Sequence, residues 1–245
     1  MRRLAAALLL AASACDSDPP APSPSASPDR ATSDVVLHAY NVSLDPGAEP
    51  GSEEIGFIVH AAEFPLRVVV TGPDVDICPV SPPEGDSPLC ERGNVADISA
   101  EGVIVRATED AVDLEEIAIS YEASDRTARL ELPTIPPRPG ESVCKDDCNP
   151  VFELTPFRAG RLTASATWEG VGTGRLLMES GGVSERAYSE QGRPYEVIAS
   201  NEASSDQGEP ELTINATLPE GETALTLENR GARPLLKPVI DVTWP

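Results

Sequence analysis

An all-β fold, arranged as two tandem β-sandwich or jelly-roll domains behind a signal peptide and a disordered linker, is the architecture this sequence predicts. Three observations lead there. Apolar residues recur at every second position in short runs along most of the chain, as in strands with one buried face. Turn-forming residues separate the runs, and 25 Pro and 18 Gly leave little room for long helices. Beyond the N-terminal region no segment carries a convincing 3.6-residue period. Met and Phe are scarce, so Val, Ile, Leu and Ala must supply most of the core.

The first element, residues 1–14, reads as an export signal. Met1-Arg2-Arg3 precedes the apolar run Leu4 to Ala12, a positive segment followed by a short hydrophobic one. The run falls short of the roughly 20 apolar residues that span a bilayer. Ser13-Ala14-Cys15 follows directly. Small residues ahead of a cysteine at this place resemble the lipobox of bacterial lipoproteins. The resemblance implies a diacylglyceryl thioether on Cys15, cleavage just before it, and a lipid anchor on the extracytoplasmic face of the cell membrane. That family favours Leu where Ala12 stands, and the alternative is an ordinary signal cut after Ala14.

Residues 15–33 form the expected linker. From Asp16 it reads DSDPPAPSPSASPDRATS, with no large apolar residue. Such a stretch buries too little surface to offset its ordering entropy, and its prolines make it a semi-stiff spacer.

The strands follow one another. Val35, Leu37 and Ala39 share one face, as do Phe57 and Val59, then Leu66, Val68 and Val70. Val103, Val105 and Ala107 form the next set, followed by Ile117, Ile119 and Tyr121, and by Ala128, Leu130 and Leu132. The stretch TIPPRPGESVCKDDC then interrupts the pattern, which places a boundary between β-sandwich domains at 34–133 and 134–245. Beyond it come Phe152 and Leu154, then Leu162, Ala164, Ala166 and Trp168. Leu212 to Leu218, Leu225 with Leu227, and Ile240 to Trp244 complete the alternation.

Four cysteines remain after Cys15. In an exported chain the simplest pairing is local, Cys78–Cys90 and Cys144–Cys148. The rival, a zinc site of four thiolates, lacks paired C-x2-C spacing.

Both halves resemble the bacterial pre-peptidase C-terminal domain, a small jelly roll appended to secreted proteins. The first half carries Leu66 to Val70, then Asp74-Val75-Asp76-Ile77; the second carries Gly160-Arg161-Leu162-Thr163 and later Gly221 to Asn229. The second half has Gly174-Arg175-Leu176-Leu177 where the acidic pair would fall, and Thr223 and Ala224 replace an expected aromatic. The resemblance implies a non-catalytic accessory or binding module.

Candidate chemistry is sparse. Asp74 and Asp76 could share a calcium ion, but two carboxylates are too few ligands, and a turn entering a strand, where Asp and Pro are common, is the preferred reading. Asp146 and Asp147 pose the same choice. His38 and His60 are the only histidines, and neither belongs to a recognisable ligand set. Trp168 and Trp244 could stack on sugars, yet each shares a face with aliphatic residues, which favours burial. Tyr188 and Tyr195 lie in a polar loop, where binding residues often sit. Ser184 lacks the final Gly of a nucleophile elbow.

The formal charge of −23 speaks against nucleic acid, whose phosphates would be repelled. The expectation is therefore a lipid-anchored, non-catalytic ectodomain without a cofactor, binding a protein or an envelope polymer such as a glycan. A structural or assembly role in the envelope is the alternative, and an enzyme of unrecognised type is the remaining one.

Overall fold

The computed structural model describes residues 33–59, 62–80, 89–123, 126–137, 149–155, 159–181, 196–204, 210–218 and 220–245. The expected signal peptide, linker and Cys15 lie outside these residues.

The described residues are all-β, with sixteen strands and no helix. The first half supplies β1 (Ser33–Leu44), β2 (Glu54–Val59), β3 (Ala62–Thr71), β4 (Val75–Pro79) and β5 (Glu91–Gly93). It continues with β6 (Val95–Ile98), β7 (Gly102–Arg106), β8 (Val112–Ala123) and β9 (Arg126–Glu131). The second half supplies β10 (Val151–Leu154), β11 (Gly160–Glu169), β12 (Thr173–Ser180) and β13 (Val197–Ser204). It closes with β14 (Glu211–Leu218), β15 (Thr223–Asn229) and β16 (Leu236–Trp244).

These strands build two eight-stranded antiparallel sheets that pack as a sandwich. One runs β13-β12-β15-β10-β1-β8-β3-β6, the other β14-β11-β16-β9-β2-β7-β4-β5. Each half contributes a contiguous block to both sheets. The blocks meet at two strand pairs. β1 joins β10 from Leu37↔Leu154 to Tyr40↔Val151, and β16 joins β9 from Val239↔Glu131 to Trp244↔Arg126. Residues 31–245 form one compact unit.

Every alternating set read from the sequence faces the buried layer. Leu37, Phe57, Leu66, Val105, Ile119, Leu130, Leu162 and Ile240 are all fully buried there. Each such aliphatic or aromatic side chain contributes about 1.5–3 kcal/mol on leaving water. Phe57 of one sheet meets Phe152 of the other edge to face, with ring centroids 6.4 Å apart. That contact crosses both the sandwich and the boundary between halves, so the two halves share core. Trp168 and Trp244 are buried, as their shared faces predict.

At the far margin the Cys78–Cys90 disulfide forms as expected and ties the end of β4 to the start of β5. Cys144 and Cys148 lie outside the described residues.

Asn41 marks where the first sheet narrows. Its φ of 57° is left-handed, a conformation Asn tolerates better than most residues. Before it, Leu37 and Ala39 point into the core; after it, Val42 and Leu44 do. The partner strand shifts phase at the same level, from Ile117 to Leu114. Pairing of β1 with β10 ends just before this point, at Tyr40.

Candidate functional site

The narrowing leaves a cleft of about 790 Å³ where the two halves meet. Asn41 and Ser43 of β1 and Asp113, Leu114 and Glu115 of β8 form one wall. The turn after β1 supplies Asp45, Ala48, Glu49 and Ser52. Residues 133–137, with Pro150 and Pro234, form the remainder.

Local hydrogen bonds fix each wall. The Asp45 carboxylate accepts the Gly47 N–H at 2.8 Å, closing a turn of the kind Asp favours. The Asp45 N–H donates to the Ser52 carbonyl, and the Ser52 N–H to that of Glu49. Residues 133–137 are stitched onto this turn. Thr134 donates from its N–H to the Gly51 carbonyl and from its hydroxyl to that of Pro50. Ile135 exchanges two backbone hydrogen bonds with Leu235.

Asn229 holds the floor from behind. It is 2% exposed at the end of β15. Its side-chain amide nitrogen lies 2.8–3.1 Å from the carbonyls of Ile135, Pro136 and Arg233, and its oxygen accepts the Gly231 N–H. A buried amide with all its groups engaged is a rigid positioning device.

The cleft's chemistry is one-sided. Its apolar surface comes from Pro136, Pro137 and Pro234, over a base in which Leu114, Pro133, Ile135 and Pro150 are themselves buried, and its rim carries Asp45, Glu49, Asp113 and Glu115. Proline has a carbonyl but no N–H. The hydroxyl protons of Ser43 and Thr134 are already donated, to the Asp113 carboxylate at 2.7 Å and the Pro50 carbonyl at 2.9 Å. Among the described residues the lining therefore offers many acceptors and few donors.

A second polar cluster sits on the outer face of the same sheet. His38 Nδ1 lies 2.6 Å from Glu116 Oε1, and the imidazole stacks on Tyr40 with centroids 5.8 Å apart. Burial raises the Tyr40 phenol far above its ordinary value, and the charges of Glu153 and Glu116 raise it further. The phenol thus stays protonated and cannot act as a base near neutral pH. The sequence gives no hint of this set beyond the rarity of His, because Glu116 is 78 residues away.

The remaining candidates do not converge. Asp74 is exposed and Asp76 sits within β4. Among the described residues no group of three or more His, Cys, Asp or Glu is placed to hold a metal ion. Asp74 and Asp76, weighed as a calcium pair, thus have no third ligand of these types beside them among the described residues. Asp146, Asp147, His60, Tyr188, Tyr195 and Ser184 lie outside the described residues. The residues that line the cleft were legible only indirectly, through the cluster of prolines in TIPPRPG that marked the boundary.

No protein-family model matches the chain, and no curated protein matches it in sequence.

Proposed function

We propose that this chain is an exported lipoprotein, anchored through Cys15 and a Pro/Ser-rich linker, whose β-sandwich binds a protein or an envelope polymer without turning it over. The observation that carries the binding role is the cleft of about 790 Å³ between the two halves. Its volume lies in the range of sites that hold small ligands or short polymer segments. It is built from turns and residues 133–137 on a rigid two-sheet frame, the usual placement of binding residues. The lipobox-like Ser13-Ala14-Cys15 supports the anchor, and the strong negative charge disfavours nucleic acid as a partner.

Two measurements test this reading. Intact-mass analysis of the native protein is expected to show acyl chains on Cys15 and no residues before it; an unmodified thiol overturns the anchor. A panel of envelope glycans and exported proteins is expected to yield one saturable ligand whose binding is lost in Ala48→Trp. The indole would occupy the cleft from an exposed turn position. Chemical turnover of a panel member, or full binding by the blocked variant, refutes the proposal.

A further inference from the structure

The cleft's lining dictates what can satisfy it. Backbone donors along it are largely spent: those of Asp45, Ala48, Ser52, Thr134 and Ile135 all go to carbonyls. The prolines have none to give. Apart from the Asn41 side-chain amide, what remains open among the described residues is acceptor capacity, in the carboxylates of Asp45, Glu49, Asp113 and Glu115 and in nearby carbonyls. A neutral sugar presents hydroxyls that both donate and accept, and its ring faces call for aromatic platforms. Among the described residues the lining contains no aromatic side chain. An anionic polymer would meet four carboxylates on a chain of formal charge −23. A segment rich in donors and positive charge, with apolar groups between its charges, fits both floor and rim.

Resting on the reading of the cleft as the binding site, we infer that its occupant is an extended peptide segment of a partner protein that carries Lys or Arg side chains. Its apolar side chains lie on Pro136, Pro137 and Pro234, the accessible apolar part of the lining, while its ammonium or guanidinium groups reach the rim carboxylates. Guanidinium is the better fit, since its planar fork pairs with carboxylates through two hydrogen bonds. The chain's overall negative field speeds the encounter and makes it sensitive to salt.

The test uses the full-length protein in detergent and two synthetic peptides, one alternating Leu and Arg and one alternating Leu and Glu. Calorimetry is expected to show saturable binding of the Leu/Arg peptide and none of the Leu/Glu peptide. Affinity should fall at least about tenfold in the double variant Asp113→Asn/Glu115→Gln. It should also fall as salt rises from about 0.05 to about 0.5 M. The charge-matched control Glu91→Gln/Asp97→Asn, at the far margin of the sheets, should bind as the parent does.

Equal weakening in both double variants means diffuse attraction to an acidic surface and overturns the inference. Failure of the Leu/Arg peptide to bind, while Ala48→Trp still abolishes capture of a panel ligand, overturns the inference but leaves the cleft as the binding site. If Ala48→Trp changes neither, both readings fall together. Far-ultraviolet circular dichroism of each variant separates loss of a contact from loss of the fold.

Discussion

Two tyrosines set the behaviour of this protein in alkali. Tyr121 is 5% exposed, and its hydroxyl has no hydrogen-bond partner among the described residues. Burial raises its phenol well above the ordinary value, with Arg126 opposing only in part. Tyr40 is raised for a similar reason, reinforced by Glu153 and Glu116. In the unfolded chain both groups ionise near pH ~10. Their neutral forms therefore favour the fold fully below that pH, and stability falls as pH rises above it, because the unfolded chain releases protons first. The urea midpoint should drop steadily between about pH 9 and pH 11.5. Tyr121→Phe should flatten that drop. At neutral pH it should change stability by less than about 1 kcal/mol, since an unpartnered buried hydroxyl contributes little when removed together with its desolvation cost. A large loss at neutral pH would show that the hydroxyl is engaged after all.

The contact between β11 and β12 depends on a missing side chain. A Cβ at Gly174 of β12 would stand 2.7 Å from the Trp168 ring of the opposite sheet. The indole thus occupies space that any other residue at 174 would claim. Gly174→Ala should cost about 1–3 kcal/mol through overpacking, read as a lower denaturation midpoint with a shifted tryptophan emission; an unchanged midpoint would mean that the sheets separate easily there. β12 also illustrates what sequence reasoning missed. Leu176, Leu177, Met178 and Glu179 are buried in succession, so the strand shows an apolar run in place of alternation. β13 was invisible for the opposite reason, being a mostly exposed edge strand with little apolar pattern. β5 is three residues long, pairs with β4 and adjoins the disulfide, with no apolar alternation to announce it. Strands with one wet and one dry face, such as β11 and β14, were legible residue by residue. The cleft was not, because it arises from long-range placement. Its walls come from residues near 41–52, 113–115, 133–137, 150 and 234, and no local spacing brings them together.

The whole molecule behaves as two blocks whose sheets run on into each other. β1 and β9 of the first half each find a hydrogen-bonding neighbour in the second, and Phe57 packs on Phe152 across the same divide. Separating the halves would uncover two long strand edges, which invite association with other chains. Unfolding in urea is therefore expected as one transition, coincident by tryptophan fluorescence and circular dichroism, and residues 34–133 made alone should aggregate. Two resolved transitions, or a soluble folded half, would contradict the shared core. The place of β1 has a mechanical consequence. It is the first strand of the described residues, yet it lies mid-sheet, flanked by β8 and β10. Traction applied at Ser33 runs along a strand held by β8 over most of its length and by β10 as well over Leu37–Tyr40. Such a pull strains the rungs of both ladders in parallel, where an outermost strand would peel away rung by rung. The slow step of forced rupture sets how long such a load is borne, and here that step must break the middle of a sheet instead of its hem.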